Sequence, residues 1–116
     1  MNDSIQTLTK RILEIRDARN WKQFHNPKDL ALSLVLESTE VLELFQWKNG
    51  EQIEKYCAQH KTELGEELSD VLYWVLLLSH DLQIDLAHAF EDKMKKNELK
   101  YPVEKARGVS TKYTEL

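Results

Sequence analysis

Cysteine occurs once, at Cys57, which excludes an internal disulfide and metal sites built from paired thiolates. Proline occurs twice and glycine three times, too few for the many tight turns of a sandwich or small barrel. The longest apolar run, VLYWVLLL at 71–78, falls far short of the ~20 residues that span a bilayer. The opening MNDSIQTLTKR has none of the apolar character of a secretory signal. Excess positive charge is missing as well. A formal net charge of −4 argues against nonspecific binding to a nucleic acid polymer, so any polyanion must be met by local cations or a bound metal. These absences predict a soluble protein with no membrane association, in a reducing compartment, hence cytoplasmic.

What is present is a chain of 116 residues, 41% apolar and 31% charged. That balance fits a globular domain, not a disordered tail. One domain over 1–116 is expected, with the last stretch, 101–116, as an irregular tail. Ile5, Leu8, Ile12 and Ile15 recur at helical spacing behind a possible Asp3–Gln6 capping box and predict a first helix ending near Asn20. Asn26-Pro27 with Asp29 is a start signal for a second helix, expected to run to Lys48, where Asn49-Gly50 stops it. A third, longer helix should begin between Glu51 and Lys61 and continue through Leu78. Its segment 71–78 is apolar all round and must be surrounded, which favours burial against a second subunit. Asp85 can cap a fourth helix that ends before Pro102. The reading is all-α, resembling a four-helix bundle completed by oligomerisation.

Against this pattern the placement of four acids stands out. Glu37 follows Leu34 by three and precedes Val41 by four, inside the stripe that should face the core; Glu40 is one turn on. On the third helix Glu67 stands in the same relation to Leu64 and Val71, with Asp70 one turn on. Two helices thus aim carboxylate pairs inward, as ESTE and ELSD. Without countercharge, partly buried carboxylates repel one another and lose hydration. They must protonate or hold a cation, and no lysine or arginine lies within a turn of either motif; Lys48 sits at the far end of the second helix. A divalent ion resolves the conflict, and an oxygen-only donor set favours magnesium, with manganese as a substitute, over zinc or iron.

Acidic pairs three apart are also common on solvated helix faces, and Glu40/Glu43 and Glu63/Glu66 show the same spacing here. Glu66, however, has polar neighbours and should face solvent. A di-iron bundle would need Glu-x-x-His on two helices. The only similar string, Asp85-x-x-His88, is better explained by Asp85 as a helix cap.

ESTEVLELFQWK followed by EELSDVLYWVLLL resembles the all-α nucleotide pyrophosphohydrolases of the MazG-like superfamily, and within it the dCTP pyrophosphatase group. NWKQFHNPKDLALSL, KMKKNELKYPVEKARG and the terminal KYTEL extend the likeness over nearly the whole chain. The resemblance implies metal-dependent hydrolysis of a nucleoside triphosphate, dCTP or a related deoxynucleotide, to monophosphate and pyrophosphate. Glu37, Glu40, Glu67 and Asp70 would hold Mg²⁺, and Glu37 or Glu40 could take the proton of the attacking water. Trp21, Trp47 and Trp74 would form an aromatic slot for the base, with Lys22 and His25 beside it. Lys93 would suit a phosphate oxygen and Asn97 a sugar or base edge. Each tryptophan could instead be core packing, and Lys93 and Asn97 an ordinary solvated face. The chain departs from the family at Ile12, where a base-contacting histidine is expected; its loss would relax the preference for cytosine. A homo-oligomer, a dimer or a dimer of dimers, is expected. The alternatives are a dUTP-type hydrolase on the same scaffold and a non-catalytic helical interaction module.

Overall fold

The computed structural model describes residues 4–116, and among these there are six α-helices, two short 3₁₀ turns and no strand. The chain divides into two compact units, one ending at Gln83 and the other Ile84–Leu116.

In the first unit α1 (Ile5–Ala18) begins at Ser4, whose hydroxyl accepts from the Thr7 amide at 3.1 Å. The expected Asp3–Gln6 box involves Asp3, which lies outside the described residues. Asn20 ends the first helical stretch with φ +52, a conformation that asparagine tolerates better than most residues. A 3₁₀ turn, Lys22–Phe24, then leads to α2 (Pro27–Phe45). Its start is built as expected: the Asn26 side chain accepts from the Asp29 amide at 2.9 Å, and Pro27 needs no amide partner in the first turn. The end differs. α2 stops at Phe45, short of Lys48, where Gln46 leaves the helix at ψ 135 and Trp47 turns left-handed at φ +69; Lys48 then folds back to donate to the Leu44 carbonyl at 2.7 Å, with its ammonium 4.5 Å from the Tyr56 ring centroid.

The expected single third helix is two. α3 (Glu51–Gln59) and α4 (Lys61–Asp81) are separated at His60, whose ring stacks on Tyr56 at 4.1 Å between centroids. α1, α2 and α3 all pack on α4. The sealed centre consists of Ile12 from α1, Leu30 from α2, and Leu76 and Leu77 from α4, with Arg16 as the one buried charge among the described residues. Of the apolar run 71–78 only these two leucines are fully buried; Leu72 is exposed and the others are half-buried. This chain surrounds only part of the segment.

In the second unit α5 (Leu86–Lys100) starts at Asp85, whose carboxylate accepts from the His88 amide at 3.1 Å, the cap that was expected. Residues 101–116, expected to be irregular, contain α6 (Val103–Ala106) and a 3₁₀ turn, Tyr113–Glu115. Tyr113 holds this segment to the end of α5, meeting Tyr101 edge-on at 5.9 Å and accepting the Lys100 ammonium over its ring at 4.8 Å.

Candidate metal and nucleotide site

The packing of α2 on α4 brings the two carboxylate pairs face to face. Glu37, Glu40, Glu67 and Asp70 each offer an oxygen, and these oxygens lie within 4.8 Å of one another. Glu37 and Glu67, the inner members, are half-buried; Glu40 and Asp70 are exposed. One oxygen of Glu37 and one of Glu67 are sealed from solvent without a hydrogen-bond partner. Among the described residues no ion pair reaches any of the four. Lys48, eight residues after Glu40, is occupied elsewhere.

The electrostatics follow from that crowding. Burial first, then the neighbouring carboxylates of Glu40 and Asp70, push the Glu37 carboxyl above the ordinary carboxylate range, while the Trp74 indole opposes the shift. Glu67 is raised chiefly by its closeness to Glu40, then by burial. Folding has paid to gather negative charge and left two acceptors unmet. An all-oxygen donor set with orphaned buried lone pairs suits a hard divalent cation, so the cluster could hold a metal ion. The decoy acids Glu43, Glu63 and Glu66 are exposed, as the polar neighbourhood of Glu66 predicted.

The aromatic candidates divide. Trp74, one turn along α4 from Asp70 and close enough to act on Glu37, meets the His25 ring edge-on at 5.8 Å, so these two expected residues are brought together. Trp21 is 43% exposed, with the Arg19 guanidinium 5.6 Å from its ring centroid. Trp47 is 88% exposed and holds φ +69, a left-handed conformation that a bulky residue seldom adopts. Core packing accounts for neither Trp21 nor Trp47. Ile12 does lie in the core. Lys22 and His25 line an open cavity of about 380 Å³, with Asn26, His80, Asp81 and Gln83 among the other walls. Lys93 is exposed and Asn97 half-buried on α5, in the second unit.

Sequence reasoning missed Arg16 and Asp81. Arg16 is 2% exposed and makes a bidentate pair with Asp81, at 2.8 and 2.9 Å. Its Nη1 also reaches Nδ1 of His25 at 3.5 Å. The signal was available. Arg16 continues the four-residue step of Leu8 and Ile12, and Asp81 follows Leu77 by four, so each interrupts an apolar stripe as Glu37 and Glu67 do.

An all-helical fold carrying a four-carboxylate cluster between two packed helices defines a metal-competent helical protein. Comparison makes the class specific. The model of the MazG-like family matches residues 32–116, and the chain belongs to that family. Among its relatives, dCTP pyrophosphatase 1 of Homo sapiens is 44% identical over 105 residues and that of Bos taurus 41% over 105 residues. Each alignment covers 89% of this chain and 62% of the relative, so the chain spans less than two thirds of their length. A crystal structure of a pyrophosphatase from Archaeoglobus fulgidus is similar with a TM-score of 0.81 and 37% identity, over 88% of this chain and 95% of that one.

Proposed function

We propose that the chain is a cytoplasmic nucleoside triphosphate pyrophosphohydrolase acting on dCTP or related deoxynucleoside triphosphates. It would cleave between the α and β phosphates to give a monophosphate and pyrophosphate. The observation that carries this reading is the convergence of Glu37, Glu40, Glu67 and Asp70 with two sealed, unpartnered oxygens. The relatives named dCTP pyrophosphatase 1 support the choice of substrate.

These four carboxylates would hold Mg²⁺, with Mn²⁺ as a substitute. Bound there, the ion supplies charge neutralisation for phosphate oxygens and lowers the pKa of water. The protein's own groups do the rest. Glu37 or Glu40 would accept a proton from the attacking water. Trp74 and His25, already in contact, form one wall for the base, and the exposed rings of Trp21 and Trp47 are free to stack on it. Lys22 is available to phosphate oxygens beside His25. Lys93 and Asn97 lie on α5, in the second unit. Large apolar side chains left open on α2, Leu32, Val35, Leu36 and Leu42, support assembly as a homodimer or a dimer of dimers.

A panel of nucleoside triphosphates assayed for both pyrophosphate and orthophosphate tests the reading. The expected result is monophosphate plus pyrophosphate, lost on adding chelator and restored by Mg²⁺, with dCTP among the best substrates. Orthophosphate release would show the wrong bond. Preference for dUTP would move the base assignment. Absence of turnover with every triphosphate would leave a non-catalytic interaction module.

A further inference from the structure

Arginine has five N–H donors and no acceptor. Contact between Arg16 Nη1 and His25 Nδ1 can therefore be a hydrogen bond only if Nδ1 carries its lone pair. Asp81 grips both terminal nitrogens of the same guanidinium, which removes the freedom to turn away. Trp74 holds the other partner, meeting the His25 ring at an interplanar angle of 77°. Three elements thus converge on one imidazole: α1 through Arg16, α4 through Asp81 and Trp74, and the segment before α2 that carries His25.

Stability alone is a poor explanation for this device. A buried ion pair roughly cancels its own desolvation, and an apolar replacement of equal volume commonly does as well or better. Arg16 also leaves its Nε sealed and unpartnered, a further cost to the fold.

We propose that Arg16 is a positioning residue: clamped by Asp81, it donates to Nδ1 of His25 and fixes that ring as the Nε2–H tautomer. The ring then offers a permanent hydrogen-bond donor on the cavity wall, suited to an acceptor oxygen or nitrogen of the bound nucleotide. Only this last use rests on the nucleotide reading; the tautomer does not. The charged and titratable groups around His25 are Arg16 from α1, Asp81 and His80 from α4, and Lys22 from the 3₁₀ turn. Burial first, then the Arg16 charge, holds its pKa below the ordinary imidazole value, in keeping with a ring kept neutral.

The test is the ¹⁵N spectrum of the imidazoles in ligand-free protein. The expected result is a His25 with unprotonated Nδ1 and protonated Nε2, titrating below the other histidines. A protonated Nδ1 overturns the proposal. Arg16→Met alone would leave Asp81 partly buried without its partner and could unfold the chain, so the second sample is Arg16→Met combined with Asp81→Leu, which removes both charges together. There His25 should become a mixture of tautomers, with its titration moved up toward the ordinary range. An unchanged His25 spectrum in a folded double variant overturns the role of Arg16. Kinetics form a separate arm: the double variant should raise KM for the triphosphate roughly tenfold at unchanged kcat. A tautomer change without a KM change would sink the substrate contact and keep the positioning. A wild-type protein without turnover would sink the nucleotide reading and leave the spectra to decide the rest.

Discussion

Glu37 and Glu67 each seal one carboxylate oxygen with nothing to bond it, and that arrangement has a measurable price in the metal-free protein. With Glu37→Gln or Glu67→Gln, like-charge repulsion is relieved while the shape is kept. In chelator at pH 8 either variant should therefore melt at a higher temperature than wild type, as read by calorimetry. Added Mg²⁺ should raise the wild-type melting temperature more than that of either variant. A wild type that melts above both variants in chelator would contradict the crowding argument.

Arg16 and Asp81 behave oppositely. Asp81 is held below the ordinary carboxylate range chiefly by its hydrogen bonds to Arg16, so its contribution is present above the unfolded pKa and lost as pH falls through the folded one. Asp81→Asn should cost about 3–5 kcal/mol at pH 7, because it leaves a buried guanidinium unpaired. The gap between variant and wild type in urea melts should shrink as pH falls below the ordinary carboxylate range. The acids of the site were legible because each stands inside an apolar stripe read within one helix. Arg16 stands inside such a stripe too, but that it pairs with Asp81, 65 positions away, is something no local pattern reports.

At the scale of elements, helix starts set by a cap within a few residues were read correctly, while the ends and breaks that follow α2 and α3 were not. Asn26-Pro27 and Asp85 start their helices where expected because capping is a local reaction between a side chain and an amide a few residues on. The break at His60 was hidden: no glycine or proline marks it, and it coincides with the Tyr56 stack and a contact of His60 Nδ1 with the Tyr56 carbonyl at 3.1 Å. The early end of α2 was likewise hidden: Trp47 turns left-handed there with no glycine at its position, and Lys48 folds back over the helix end. The connection between α2 and α3 then relies on Gly50, at φ +49 and ψ −120, where a side chain is strained although space around it is open. Gly50→Ala should cost about 1–3 kcal/mol in denaturant melts. Trp47, beside it, offers a contrast. Since its ring touches little, Trp47→Ala should change stability by no more than ~0.5 kcal/mol yet weaken nucleotide binding, measured by calorimetric titration. Equal losses in both would make Trp47 a packing residue.

For the whole molecule, the helical class and the inward acids could be read from periodicity, whereas the sparse core could not. Few residues are fully buried, and Leu32, Val35 and Leu36 on α2 and Leu68 on α4 remain more than half exposed. Association through such faces predicts a melting temperature that rises with protein concentration. Sedimentation should find a species larger than 13.7 kDa. Leu36→Glu on α2 should shift the protein toward that mass. A monomer at every concentration would rule out the assembly.

One helix carries an unusual share of these duties. α4 bears Glu67 and Asp70, then Trp74, then the sealed Leu76 and Leu77, and finally Asp81, and every other helix of its unit leans on it. Half of the acid cluster thus rides on the same rigid rod that holds the unit together, and the other half is set against it by the packing of α2 on that rod. Warming should leave turnover intact almost until the protein denatures, and the two failures should arrive together, in one step.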